Sequence, residues 1–361
     1  MGTLNCFGRT NVSQRKCLYT ICCFLHKNAA KCNVRGLRSS VVLFQDEVSS
    51  LKIFDRKAKL MQRERAAMSA DVHLYDYIKE EIGFRLADRV KDIKRTFKQA
   101  IDLGCGRGHV TKNIMPDSVK ELTCAEMSPR WLEQVCYNSG MKVNKVVKDE
   151  ECPDFEDNSF DLVLSNLSLH WVNDLPGTFA RIRSCLVSDG VFMASVFGGE
   201  TLYELRSSLQ LADLERKGGV APHISPFIDV RDLGGLLNRA GFTMLTVDTD
   251  EMEIGYPSMF ELMWDLKGMG ESNAALNRPL HLGRDVSLAA ASIYKALYGR
   301  EDGTIPATFQ IFYFIGWKPD KSQPKPLQRG TGQISLKDLH RIDEIVKEKS
   351  GIPLHDDEKS K

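Results

Sequence analysis

Asp102, Gly104, Gly106 and Gly108 fall within one short run, Asp102-Leu103-Gly104-Cys105-Gly106-Arg107-Gly108, directly after the apolar pair Ala100-Ile101. An acid at the carboxyl end of a buried strand can accept hydrogen bonds from an ammonium group. Glycines after it let the backbone approach a ligand where any Cβ would clash. A helix expected over 109–115 would aim its partly positive N-terminus at an anionic group. These features describe a nucleotide-cofactor site, with Asp102, Gly104, Cys105, Gly106 and Gly108 as its candidate contacts. A dinucleotide fold asks for G-x-G-x-x-G, and here His109 stands where the third glycine belongs, which disfavours nicotinamide or flavin.

Two further acidic positions follow apolar runs at regular intervals. Glu126 ends Leu122-Thr123-Cys124-Ala125, about 20 residues past the glycines, the offset at which an acid meets a ribose diol. Asp149 and Glu150 follow the β-branched run from Val143 to Val147. The alternative for each is a solvated loop acid.

The candidate substrate side begins after the fourth strand with Ser165-Asn166-Leu167-Ser168-Leu169-His170-Trp171-Val172-Asn173-Asp174. His170 suits a general base because its ordinary pKa lies near neutrality, or else it is a packed structural histidine. Trp171 is a core residue or a stacking platform for a planar or cationic group. A second wall comprises Phe197 to Arg206 and the glycine- and proline-punctuated segment Gly218 to Phe227, read as part of a lid inserted over about 200–228. There Glu200 could bind a guanidinium by paired hydrogen bonds, with Tyr203 alongside and Arg206 and His223 as further substrate contacts. A non-haem iron site would show two histidines and a carboxylate, often as His-x-Asp. That spacing occurs at His355-Asp356-Asp357, in a polar tail, so metal ligands stay unassigned.

The elements that would position these residues alternate. Strands are expected at 100–103, 121–125, 143–148, 160–165 and 190–197, and helices at 109–115, 129–138 and 174–186. After a helix at 229–240 come a sixth strand at 243–247 and a long last strand at 308–317, inserted antiparallel. This is an α/β chain with a mostly parallel, seven-stranded, Rossmann-like sheet over 99–318. Ahead of it, 50–98 reads as helical. Its basic run, with Arg56, Lys57, Lys59, Arg63 and Arg65, reads as a solvated face, or as a docking site for anionic lipid or an acidic partner. The lysine-, proline- and glycine-rich tail over 319–361 is expected to be mobile apart from one amphipathic helix near 336–346.

With 361 residues and 42% apolar content, the chain can bury one large core with appendages. A net charge of +1 and the lack of paired-cysteine or RNA-binding signatures leave no reason to expect a nucleic-acid surface. Residues 1–45 contain no Asp or Glu, while Arg9, Arg15, Lys16, Lys27, Lys31, Arg35 and Arg38 are spread through them. That composition suits a mitochondrial transit peptide; the rivals are a disordered basic leader and a secretory signal centred on Cys17 to Leu25, the latter opposed by the basic residues after it. Of ten cysteines, five precede residue 45, and Cys105, Cys124, Cys136, Cys152 and Cys185 read as isolated thiols of a reducing compartment. No apolar run approaches the ~20 residues that cross a bilayer, so membrane contact would be peripheral.

Asp102-Leu103-Gly104-Cys105-Gly106-Arg107-Gly108 resembles the first motif of class I adenosylmethionine-dependent methyltransferases, and Asp149 and Glu150 resemble their acidic position beside adenine. The Asn-Pro-Pro-Tyr of amide and amine methylating members is missing after strand four. Together with Leu167 to Pro176, Phe197 to Arg206, Pro222-His223-Ile224-Ser225-Pro226-Phe227, Phe260-Glu261-Leu262-Met263, Gly268-Met269-Gly270-Glu271-Ser272-Asn273 and Ile315-Gly316-Trp317-Lys318, the motif resembles mitochondrial respiratory complex I assembly factors of methyltransferase fold. More distantly the chain is similar to bacterial malonyl-carrier-protein carboxyl methyltransferases. The first resemblance implies a matrix protein peripheral to the inner membrane, working with other assembly factors. It also implies hydroxylation of an arginine on an iron–sulfur subunit of the quinone-binding module, with an S-adenosyl-L-methionine pocket and an unassigned oxidant or metal. The alternatives are a methyltransferase acting on a protein or carboxylate, and a non-catalytic assembly chaperone.

Overall fold

Apolar residues on successive positions of the central strands point to opposite faces, and each face carries its own core. Ala100, Leu122, Leu162 and Leu164 pack to one side, and Ile101, Leu103, Val163 and Phe192 to the other. The computed structural model describes residues 52–324. The leader over 1–45, the tail beyond 324 with its expected helix at 336–346, and His355-Asp356-Asp357 lie outside the described residues.

The strands are β1 (Phe97–Leu103), β2 (Val119–Glu126), β3 (Lys142–Val147), β4 (Phe160–Asn166), β5 (Leu186–Phe197), β6 (Thr243–Tyr256) and β7 (Ile305–Trp317), in the spatial order β3-β2-β1-β4-β5-β7-β6. Strands β1 to β5 run parallel, and β7 is antiparallel to both β5 and β6. The expected mostly parallel sheet with an inserted last strand is therefore present. Its order reverses between β1 and β4, which opens a crevice at their carboxyl ends.

One face carries α2 (Tyr77–Lys91), α5 (Tyr203–Lys217), α7 (Met259–Gly268) and α8 (Arg284–Tyr298); the other carries α4 (Leu175–Cys185) and α6 (Val230–Ala240). Helix α1 (Arg56–Ala67) starts at Asp55, whose carboxylate accepts from Ala58 N at 2.9 Å. Helix α4 starts at Asp174 in the same way, with Pro176 in its first turn.

Four expectations need correction. The helix expected at 109–115 is a single 3-10 turn, Thr111–Asn113, because Ile114 is already extended and Pro116 follows. That segment therefore brings no α-helix N-terminus to the glycine turn. The helix expected at 129–138 is the short α3 (Pro129–Glu133), since the chain then folds back and Cys136 N donates to Arg107 O at 3.0 Å. Strand β6 runs well past 247, because as an edge strand it tolerates Asp248, Asp250, Glu251 and Glu253, whose charges read as a break. The lid expected over 200–228 is largely the regular helix α5, leaving 218–227 as its irregular part. Among the described residues no helix is long and apolar enough to cross a membrane.

Candidate active site

The glycine turn hangs from β1 beside β2, to which Gly104 N and Cys105 N donate through the Ala125 carbonyl at 2.8 and 3.1 Å. All three glycines have left-handed backbones, with φ of +66°, +56° and +83°. A Cβ on Gly104 would lie 2.1 Å from Ser168 Oγ, and one on Gly108 would lie 2.4 Å from the Cys136 carbonyl oxygen. A Cβ on Gly106 would have no heavy atom closer than 3.7 Å. Two of the glycines are thus demanded by packing, whereas a Cβ on Gly106 would rest in ordinary van der Waals contact with the His109 and Trp131 rings. The Cys105 thiol is buried in the turn, and that burial pushes its pKa well up, against thiolate chemistry.

Asp102 is buried at the end of β1, where one carboxylate oxygen accepts from the Thr111 hydroxyl at 2.9 Å and the other has no partner among the described residues. Burial raises its pKa to about 7, although the Thr111 bond acts in the opposite direction. An unpaired buried acceptor of this kind suits an ammonium group. An acid raised in the native state stabilises the fold fully below its unfolded pKa of 3.8, and that stabilisation is lost as pH rises through about 7. Asp102→Asn keeps an acceptor for Thr111 and removes this loss. It is expected to raise stability near pH 8 by roughly 2–4 kcal/mol, with the gain shrinking toward pH 4, while weakening cofactor binding. Urea midpoints across that pH range check the first expectation, and a variant less stable than wild type near pH 8 would contradict it.

Glu126 is fully buried, accepts from Gly106 N at 3.0 Å and Ser128 N at 3.1 Å, and pairs with Arg63 of α1 at 2.9 Å. Glu150, equally buried, pairs with the same guanidinium at 2.9 Å and accepts from Ser168 Oγ at 2.8 Å. Burial would raise its pKa, but Arg63 and Arg56 outweigh burial and hold it far below the usual carboxylate range. Asp149 is more exposed and meets Arg56 at 2.5 Å. The three acids converge, and the basic run of α1 converges on them, so the expectation of a solvated or lipid-facing basic surface is wrong for its central residues. Lys59, Gln62, Arg63 and Ala66 form the buried stripe.

An adenosine-bearing cofactor fits the chemistry of this donor and acceptor set. The open side of Gly106 and the unpaired oxygen of Asp102 would receive its amino-acid end, and Glu126 its ribose hydroxyls. In the described conformation Arg63 uses the acids that a ribose would use. A cavity of only about 10 Å³ remains, edged by Gly104, Gly106, Arg63, Asn166 and Glu271.

Glu271 is the residue that joins the two sides. One of its oxygens accepts from Lys79 Nζ at 2.8 Å; the other accepts from Trp171 Nε1 at 2.7 Å and Lys59 Nζ at 3.1 Å. Its carboxylate stays charged: burial alone would raise its pKa, but Lys59 and Lys79 outweigh burial and hold it well down. Besides the cofactor-side cavity it borders an apolar void of about 20 Å³ and a cavity of about 320 Å³. Trp171 and His223 line the larger cavity, and His223 pairs with Asp213 at 2.7 Å. Leu202, on the same wall, holds a left-handed backbone with φ of +55°, the kind of local strain that collects at working sites.

His170 is buried against Trp171, Phe197 and Phe227 with ring centroids 5.2, 4.9 and 5.7 Å away, and neither ring nitrogen has a hydrogen-bond partner among the described residues. Burial lowers its pKa to about 4, so it is a neutral ring packed behind Trp171, with Glu271 3.7 Å from Nε2. Glu200 and Tyr203 are exposed, and Tyr203 packs edge-on to Tyr298; the fold does not bring either to the cavity walls described above. Arg206 donates to the Gly199 and Thr201 carbonyls and borders a separate cavity of about 110 Å³ with His223.

Among the described residues, one His and carboxylate cluster, Asp76, Glu80 and His109, brings its ligand atoms within 4.8 Å. Arg107 pairs with Asp76, Lys112 pairs with Glu80, and Lys79 acts on both Asp76 and His109. Three cations thus face two carboxylates, which makes an ion-pair network rather than a metal centre.

Residues 73–247 match a family described as a methyltransferase domain. The chain is 50% identical over 318 residues to the mitochondrial arginine-hydroxylase NDUFAF5 of Danio rerio, spanning 88% of this chain and 98% of that protein. It is 51% identical over 297 residues to the Homo sapiens protein of that name, spanning 82% and 86%. A malonyl-[acyl-carrier protein] O-methyltransferase of Nitrosospira multiformis is 32% identical over 281 residues, spanning 72% of this chain and 89% of the relative.

Proposed function

Because the chain belongs to the family of the mitochondrial arginine-hydroxylase NDUFAF5, with its methyltransferase domain, we propose that it hydroxylates an arginine side chain as an assembly factor of respiratory complex I. The observation that carries this reading is identity of 50% extending over 98% of the Danio rerio arginine hydroxylase. The target is an iron–sulfur subunit of the quinone-binding module, met in the matrix at the inner membrane beside other assembly factors. The motif resemblance supports that target, and the acid-free, basic first 45 residues support import.

S-adenosyl-L-methionine is the cofactor class that the donor set suits, and bound there it would supply an electrophilic sulfonium. The residues of this chain hold and orient. Asp102 takes a proton-bearing ammonium on its unpaired oxygen, and Glu126, already fixed by Gly106 N and Ser128 N, offers carboxylate oxygens to hydroxyl donors. Trp171 and the apolar walls above Glu271 exclude water from the substrate side. Hydroxylation of a C–H bond is a two-electron oxidation, so its oxygen and oxidising equivalents would come from a co-substrate such as dioxygen with a two-electron donor, and the cation-paired Asp76, Glu80 and His109 do not suit a metal that would activate it.

Peptide mass spectrometry of the iron–sulfur subunit, from cells with and without this chain, tests the reading. One oxygen on an arginine, lost on deletion, is the expected outcome. A lost methyl group would make the protein a methyltransferase instead, and no change would leave it a chaperone.

A further inference from the structure

We propose that the 320 Å³ cavity is the entry channel for the substrate arginine and that Glu271 is the carboxylate that receives its guanidinium. This assignment rests on the arginine-hydroxylase reading and adds to it the residue that selects the side chain.

The cavity is built for a side chain with an apolar stem and a cationic head. Leu205, Leu209, Met263 and Leu266 flank its length, where a polymethylene stem is accommodated. Trp171 and Phe227 offer aromatic faces, on which a planar guanidinium stacks better than an ammonium does. Of the described residues on its wall, Glu271 alone is a carboxylate, and it is buried where an ion pair is least screened.

Placement matters as much as charge. Glu271 also borders the small cavity beside Gly104 and Gly106, so a guanidinium held by it lies next to the cofactor side and not at the surface. The existing partners leave room for exchange. Lys79 takes one carboxylate oxygen; on the other, Lys59 sits 3.3 Å over the Trp171 ring, and burial pushes its amine well down. A guanidinium can take the place of Lys59 on that oxygen, one cation for another, while the lysine keeps its bond to the Gly270 carbonyl at 2.7 Å. At the mouth, Leu280 is 97% exposed beside Arg278, a surface that suits a polypeptide better than a free small molecule.

The test is calorimetry of the full chain with an alanine-rich peptide carrying one central arginine and with its citrulline counterpart, which is neutral and nearly isosteric. Wild type is expected to bind the arginine peptide at least ~10-fold more tightly, as for a charge-assisted bidentate contact, and Glu271→Gln to lose that preference. Because Glu271→Gln leaves buried Lys59 and Lys79 without their counter-charge and so puts folding at risk, Ile224→Trp is the companion: it fills the cavity from its half-buried lid and leaves the Glu271 ion pairs intact. Ile224→Trp is expected to weaken arginine-peptide binding at least ~10-fold. Equal affinity of wild type for both peptides, or a folded variant of either kind that binds the arginine peptide as wild type does, overturns the assignment. Mass spectrometry of the cellular target separates the two readings. An arginine that carries no oxygen in wild-type cells removes the hydroxylase reading while the peptide preference still decides the pocket. Oxygen present in cells alongside equal peptide affinities removes the pocket and leaves the hydroxylase.

Discussion

Arg63→Met is expected to destabilise the protein by about 3–5 kcal/mol, the cost of leaving a buried charge without its partner. The guanidinium bonds Glu126, Glu150 and Ser168 at once, and neither carboxylate side chain has any solvent exposure. Methionine fills much of the volume but answers neither charge, so Glu126 must take up a proton or draw water into the core, and Glu150 keeps only Arg56, at 3.0 Å. Arg89→Met provides the contrast. Arg89 also pairs with an acid, Asp248 at 2.6 Å, but the pair is partly solvated and its loss should cost less than about 1 kcal/mol. Urea midpoints of the two variants give the comparison directly. Arg63 also occupies the acids that a ribose would use, so S-adenosylhomocysteine should raise the melting temperature of Arg63→Met more than that of wild type. A smaller shift in the variant would place Arg63 among the cofactor's own contacts.

Gly106→Val is expected to lose at least ~100-fold in S-adenosylhomocysteine affinity, about 2.7 kcal/mol, while the protein stays folded. A left-handed backbone carrying a branched side chain costs about 1–3 kcal/mol, and the new Cβ would meet nothing closer than the His109 and Trp131 rings, at 3.7 and 3.8 Å. The added methyl groups would enter the small cavity that a cofactor needs. Gly108→Ala should behave in the reverse sense: its Cβ would press on the Cys136 backbone, so stability falls first and binding falls with it. Calorimetry with S-adenosylhomocysteine beside thermal melts distinguishes the two, and unchanged affinity in folded Gly106→Val would remove the glycine turn from the cofactor site.

The contrast among these glycines also marks what the sequence made legible. The strand, turn and acids at 102–108, 126 and 149–150 could be read because each follows an apolar run, and alternation along a strand survives any tertiary context. The helices around the turn could not. Propensity favours continuing past His109 and past Glu133, but Pro116 stops the first locally and a tertiary contact stops the second, where Cys136 returns to Arg107.

Arg63 and Lys59 were missed for another reason. A basic run is normally solvated, and only the spacing of Lys59, Gln62, Arg63 and Ala66, at intervals of three and four, signals one buried helix face. Glu271 stands in a motif that the family resemblance includes, but no local pattern shows that a glutamate after Gly270 will close three cavities. Glu200 and Tyr203 suit guanidinium binding by residue type, but the start of α5 turns them to solvent. Chemistry that depends on residues far apart in the chain, such as Arg63 with Glu150, becomes visible only when the sheet has brought them together.

The account stands most directly on whether the glycine-turn site and arginine oxidation belong to one reaction. Mass spectrometry of the complex I iron–sulfur subunit, in cells whose only copy of this chain is wild type or Gly106→Val, measures that link. The expected result is one added oxygen on an arginine with wild type and none with an equally abundant Gly106→Val protein. An oxygen that persists in the variant, or a methyl group in its place with wild type, would contradict it.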